Sequence, residues 1–341
     1  MLPDLTLPQH WLPLVFFFLL GVSMLAYVVL DGFDLGVGIL LRRADAAQKD
    51  SMIASIGPFW DANETWLVLG VGILLVAFPA AHGVILGELY LPVALMLVGL
   101  ILRGVAFDFR VKARDDHQFA WNLAFYGGSV LASFAQGLML GMYITGFRTD
   151  GASLAFAAFT GLSLVAGYAL LGACWLIMKA EGELQRRAIG WARGSLLYCA
   201  LGVAAVSIAT PMVSGQVFDK WFSFPNILLL SPIPVVTAAL FVVIEYTLRK
   251  LPGLLAGGSH AFAWLPFVAT VGIFVLAFFG LAYSLFPYLV VDRITIWEAA
   301  SAPESLTVIL VGVAVVLPTI IGYTIYSYRV FWGKARELSY Q

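Results

Sequence analysis

The chain has 341 residues, 61% of them hydrophobic and only 11% charged, with 33 Gly, 25 Phe and 10 Trp. So apolar a composition excludes a soluble globular domain and indicates a polytopic membrane protein. The formal net charge of −1 and the scatter of 19 Lys and Arg in short clusters between apolar runs exclude a nucleic-acid-binding patch.

A helix that crosses a bilayer needs about 20 apolar residues at about 1.5 Å of rise each. Nine segments meet this requirement, over residues 12–41, 51–78, 82–109, 119–145, 152–178, 188–212, 226–248, 261–285 and 304–330. Residues 1–11 hold no Lys or Arg and no small-residue cleavage site follows, so the first span reads as an uncleaved helix rather than a signal peptide. Pro79, Pro225, Pro287 and Pro303 stand at span ends, where a missing N–H costs little, and Trp121, Trp221, Trp264 and Trp332 suit an interfacial aromatic belt. The expected fold is all-α. By spacing it divides into a four-helix unit over 1–150, a second over 151–286, and a peripheral ninth helix with a cytoplasmic tail over 287–341.

Basic residues alternate between loops. Arg42, Arg43, Lys49, Arg110, Lys112, Arg114, Lys179, Arg186, Arg187, Arg193, Arg249, Lys250, Arg329, Lys334 and Arg336 fall on one side, against Arg148, Lys220 and Arg293 on the other. The positive-inside rule then gives an outside N-terminus and a cytoplasmic C-terminus.

Four acids stand out against this apolar background: Asp31 and Asp34 in span one, Asp61 in span two and Asp108 at the end of span three. An Asp at the bilayer centre costs roughly 2.5–3.5 kcal/mol, so such groups usually face protein or a water path and often carry ions or protons. Asp31 lies eleven residues before Arg42 and Asp61 ten after Ser51. Helix rise puts both about 15 Å from the cytoplasmic face. Asp34 is three residues nearer that face on Asp31's side of the helix, and Asp108 sits at the cytoplasmic mouth. Glu64 and Thr65, one turn beyond Asp61, continue the stripe. Arg103, embedded in span three, needs a carboxylate partner, with Asp31, Asp34 or Asp61 the candidates.

Two readings of this set compete. In one, the acids are paired ions and packing devices, and Gly32, Gly36 and Gly38 of DGFDLGVG serve close helix contact. In the other they form a proton relay, because burial disfavours the charged form of a carboxyl while a nearby guanidinium favours it. One carboxylate suffices to pair Arg103, and four acids graded along one direction favour the relay.

The four histidines, His10, His82, His117 and His260, lie at loops or span ends, and no two share a helix at ligand spacing. A metal or haem site in this chain is therefore not expected, with His82 the least unsuited cofactor ligand. Cys174 and Cys199 lie in mid-span and read as small buried residues. No phosphate-binding loop or nucleophile elbow is present.

The strings DGFDLGVGILLRR at 31–43, GPFWDANETWLVLGVGILLVAFPAAHG at 57–83 and LPVALMLVGLILRGVAFDFR at 91–110 resemble subunit II of the cytochrome bd-type quinol oxidases, and Glu64–Thr65 resembles the cyanide-insensitive branch of that family. The motifs cover about the first third of the chain; beyond residue 150 the likeness is of hydropathy and length. The resemblance implies a bacterial inner-membrane complex of the respiratory chain that oxidises quinol and reduces dioxygen to water. Its low-spin b, high-spin b and d haems would sit on a haem-bearing subunit I, with which this chain forms a heterodimer. It leaves open a small single-helix subunit and a structural quinone.

In this family subunit II contributes acids to a proton path from the cytoplasm, and Asp31, Asp61 and Asp108 occupy the matching positions. Asp34 and Glu64 join them by helical facing, with Arg103, Trp60 and Asn63 supporting. Two rivals remain: a purely structural or assembly partner of the haem subunit, and a proton-coupled secondary transporter. The transporter usually shows interrupted helices in both halves, whereas here the polar helices are confined to one.

Overall fold

A computed structural model describes residues 6–213 and 215–335. Arg336 and the rest of the expected tail lie outside the described residues, as does the side chain of Lys112. The elements in chain order are α1 (Pro8–Leu40), α2 (Ala46–Ile56), α3 (Trp60–Ala77), α4 (Pro79–Glu88), α5 (Tyr90–Lys112), α6 (Asp115–Ile144), α7 (Gly151–Lys179), α8 (Gly182–Val213), α9 (Gly215–Phe222), α10 (Asn226–Leu230), α11 (Pro232–Ala256) and α12 (Leu265–Leu285). A small antiparallel hairpin, β1 (Tyr288–Val290) with β2 (Ile294–Thr295), then leads through α13 (Ile296–Ala299) to α14 (Pro303–Val330). Among the described residues, nine helical segments are long and apolar enough to cross a membrane. The fold is all-α apart from the hairpin, as the sequence implies.

Two expected spans are divided. Residues 51–78 are not one helix: α2 ends at Ile56 and α3 opens at Trp60. Pro58 has no N–H to offer the Ala54 carbonyl, so a helical hydrogen bond is lost where the chain breaks. Residues 82–109 likewise split at Leu89 into α4 and α5, and Pro79 starts α4 where its missing N–H is harmless.

The helices approach closely where side chains vanish. A Cβ on Gly36 would lie 1.8 Å from the Tyr168 carbonyl oxygen, and one on Gly172 would lie 2.3 Å from the Gly36 carbonyl carbon, so α1 and α7 touch backbone to backbone. Gly99 and Gly128 do the same for α5 against α6. The glycines of DGFDLGVG therefore serve packing as well as bordering the acids.

One apolar core spans α1, α5 to α8, α11 and α12 and gathers near the basic ends of these helices. A second, built on α1, α3, α4 and the β1–β2 hairpin, closes the opposite end. There Tyr143 Oη donates to the Leu289 carbonyl at 2.7 Å and Trp297 Nε1 to that of His10 at 2.9 Å. Helix α14 is mostly exposed, with Leu306 and Ser327 its buried residues. It is pinned at the basic end, where Lys179 Nζ donates to the Phe331 carbonyl at 2.8 Å.

Candidate functional site: a buried charge cluster between three helices

Helix α1 supplies Asp31 and Asp34, one turn apart and both fully buried. Arg103 of α5, 1% exposed, reaches between α1 and α3. Its Nη1 donates to Asp31 Oδ1 at 2.6 Å, and its Nη2 donates to Glu64 Oε1. Of the candidates weighed from sequence, Asp31 is the partner and Asp34 and Asp61 are not; the second carboxylate is Glu64, which is 28% exposed. Neighbouring residues on a helix point about 100° apart. Asn63 therefore faces α1, where its Nδ2 donates to Asp34 Oδ2 at 2.8 Å, while Glu64 faces Arg103. Asn63 Oδ1 in turn accepts from Tyr328 Oη of α14 at 3.2 Å.

Three atoms of this cluster are buried without a partner in hydrogen-bond geometry: Asp31 Oδ2, Asp34 Oδ1 and Arg103 Nε. Two carboxyls, those of Asp31 and Glu64, share one guanidinium, and the third, Asp34, is one turn along α1.

Behind the cluster runs a polar chain that sequence reasoning missed. Tyr168 Oη on α7 donates to Gln136 Oε1 on α6 at 2.7 Å, and Gln136 Nε2 donates to Tyr27 Oη on α1 at 2.8 Å. All three side chains are buried. Tyr27 stands one turn before Asp31 on the same face of α1. The signal was available: Gln136 is an amide set in the apolar run SFAQGLML, and Tyr27 is four residues before Asp31.

Asp61 and Asp108 lie apart from the buried set, on the exposed flank of α3 and α5. Asp61 is in the first turn of α3, one turn before Glu64, so the expected ten residues of continuous helix rise from Ser51 do not apply to it. Asp108 is five residues from Arg103, about 140° around α5, and so faces away from the cluster. The flank between the two helices is joined by Trp60 and Phe107, whose ring centroids are 5.0 Å apart. Each exposed acid is the chain neighbour of one of these rings. The surrounding face is apolar, with Val68, Ile101, Val105 and Phe109 exposed. Arg110, nearer the basic end, is held by Asp50 at 2.7 Å and Asn122 at 2.6 Å.

The side chains around Arg103 are carboxylates and an amide, none of them an axial haem ligand. His82 is half-buried near the start of α4, away from these residues in the chain. No group of three His, Cys, Asp or Glu suited to a metal ion occurs among the described residues. Cys174 and Cys199 are buried and free.

The sequence profile described as Cytochrome bd terminal oxidase subunit II matches residues 12–331. Cytochrome bd ubiquinol oxidase subunit 2 of Bacillus subtilis (strain 168) is 28% identical over 339 residues, spanning 93% of this chain and 95% of its own. Cytochrome bd-I ubiquinol oxidase subunit 2 of Escherichia coli (strain K12) is 25% identical over 367 residues, with 94% of each chain covered. In the solved structure of bd oxidase from Geobacillus thermodenitrificans, one chain superposes with a TM-score of 0.74 at 19% identity, over 95% of this chain and 99% of that one, a likeness of fold. With the buried Arg103 cluster on the motifs that carry the resemblance, and a profile match over nearly its whole length, the chain belongs to the cytochrome bd terminal oxidase subunit II family.

Proposed function

We propose that this chain is the subunit of a ubiquinol-oxidising, dioxygen-reducing complex that conducts protons from the cytoplasm towards the oxygen-reducing haem of its partner. The observation that carries this reading is the ratio in the buried cluster: Asp31, Asp34 and Glu64 against Arg103 alone. Full ionisation would leave two uncompensated negative charges in the apolar interior, and proton binding is how such a set neutralises. Reduction of dioxygen to water consumes protons, and a cluster that binds and releases them part-way across the membrane can supply them.

Asp108 and Asp61 form the outer part of the path, Glu64 links it inward, and Asp34 and Asp31 line the buried end beside Arg103. Trp60 and Asn63 shape its walls. The exposed flank of α3 and α5 is where the haem-bearing subunit packs. A carboxylate left against lipid costs roughly 2.5–3.5 kcal/mol, whereas the same group at a protein interface can be solvated or paired. The basic ends of the helices face the cytoplasm, the N-terminus lies outside, and the membrane is the bacterial inner membrane. Residues 1–150 carry the path, 151–286 buttress it, and 287–341 form the periphery. The low-spin b, high-spin b and d haems belong to the partner subunit and supply the electron transfer and oxygen chemistry; this chain's residues position and move protons.

Purification of the tagged chain followed by turnover measurements tests the proposal. Haem and a second large subunit should co-purify, and their absence would favour a transporter. Asp34→Asn should then slow oxygen consumption per haem about tenfold or more, the scale of a lost proton-transfer group. An unchanged rate in this variant would leave a purely structural partner.

A further inference from the structure

We infer that Tyr27, Gln136 and Tyr168 form a one-way hydrogen-bond clamp that fixes Asp31 as the standing counter-ion of Arg103 and closes the inner end of the polar cluster. The inference rests on the proton-path reading and divides its acids into one that holds position and others that exchange protons.

The direction of the chain follows from its chemistry. Tyr168 gives its hydroxyl hydrogen to Gln136 Oε1, and the Gln136 amide gives one of its hydrogens to Tyr27 Oη. Having accepted from Gln136, Tyr27 has its own hydrogen free. One turn along the same face stands Asp31, whose Oδ2 is buried and without a partner in hydrogen-bond geometry. Turning the amide over would send the Tyr27 hydrogen to Gln136, leave Asp31 Oδ2 facing an oxygen lone pair, and make Tyr168 an acceptor. The Tyr168 hydrogen would then be without an acceptor in apolar surroundings, since its ring stacks on Phe274 at 5.9 Å. The carboxylate therefore selects the orientation in which three donors point towards Asp31. On its other side Asp31 Oδ1 receives Arg103 Nη1. One Asp31 oxygen thus receives the guanidinium, and the other is the acceptor left for the free Tyr27 hydrogen.

The same chain is a poor conductor. A hydroxyl can accept one hydrogen while releasing another, but an amide nitrogen does not release or take up a proton in the physiological range. Gln136 interrupts any relay beyond Tyr27, and Tyr168 ends against an aromatic ring. Gly32 makes the arrangement possible, because a Cβ there would lie 2.7 Å from Tyr168 Cε1. Tyr27, Gln136 and Tyr168 are thus positioning residues, and proton exchange falls to Asp34 and Glu64.

The test uses the whole complex with its haems. Tyr27→Phe should keep haem content and the KM for quinol while lowering kcat about tenfold, the rate equivalent of one lost hydrogen bond to a charged group. In an Asp31→Asn background the same change should add nothing, because Tyr27 acts through Asp31. A wild-type kcat in Tyr27→Phe, or an effect that multiplies in full with Asp31→Asn, overturns the clamp. If Tyr27→Phe does not assemble, Tyr168→Phe keeps the ring packing, removes only the head of the donor chain, and is judged by the same two criteria. Infrared difference spectra read the clamp apart from turnover: the carboxylate band lost in Asp31→Asn should shift in Tyr27→Phe, and an unmoved band overturns it. Should Asp34→Asn and Asp61→Asn slow turnover while both tyrosine variants run at the wild-type rate, the clamp alone is wrong. If both Asp variants run at the wild-type rate, the proton-path reading has itself failed.

Discussion

The side-chain amide of Asn63 donates both to Asp34 Oδ2 at 2.8 Å and to the backbone carbonyl of Leu30 at 3.2 Å, tying the first turn of α3 to the inner part of α1. These bonds hold the start of α3, which carries Asp61 and Glu64, against α1.

Among the described residues Asn63→Leu removes the one donor Asp34 has in hydrogen-bond geometry, since Asp34 Oδ1 is already without a partner. Leaving a buried acceptor unmet costs about 1–3 kcal/mol. The thermal unfolding midpoint of the purified complex should fall, and adding Asp34→Asn should restore part of the loss.

Arg103→Leu leaves the Asp31 carboxyl buried and without its guanidinium. Breaking a buried pair from one side costs about 3–5 kcal/mol, whereas removing both partners is often close to neutral. The amount of assembled, haem-containing oxidase in membranes should drop sharply in Arg103→Leu and recover in part in Arg103→Leu with Asp31→Asn.

Gly36→Ala puts a methyl group where the Tyr168 carbonyl oxygen now lies, with the Gly172 backbone nitrogen 2.8 Å away. Neither is a flexible side chain, so the whole α1–α7 contact must open. Overpacking of this kind costs about 1–3 kcal/mol, and assembled complex should be reduced, while Gly83→Ala, with open space around it, should be silent.

Asp150 caps α7, and its carboxyl is held below the usual range because Ser153 donates both its hydroxyl and its backbone N–H to the charged form. The stability from this cap is present above the Asp pKa of the unfolded chain and is lost as pH falls through the lower folded value. Asp150→Ala should therefore lower the unfolding midpoint at pH 7, and the gap to the parent should close as pH falls below about 4. A gap independent of pH would mean the carboxylate is not the source.

Much of this architecture is legible in the chain because oil and water sort residues so strongly. Hydropathy alone locates nine spans, and an Arg in an apolar helix demands an acid, which proves to be Asp31. What escapes is what periodicity averages over. Pro58 interrupts a run whose hydropathy is continuous, so α2 and α3 read as one helix and Asp61 is expected deeper along it than its first-turn position. Tyr27, Gln136 and Tyr168 belong to three different helices, and nothing in linear spacing brings them together. Asp61 and Asp108 are exposed, and hydropathy does not fix which flank of α3 and α5 is left uncovered by the rest of the chain.

The central claim, that the acids of this chain deliver protons, is tested most directly by oxygen consumption per haem in Asp61→Asn. Asp61 is exposed and makes no ion pair with Arg103, so the change keeps both of that guanidinium's carboxylate partners. The account predicts full haem content with clearly slowed turnover. Full haem content with turnover at the parental rate would contradict it.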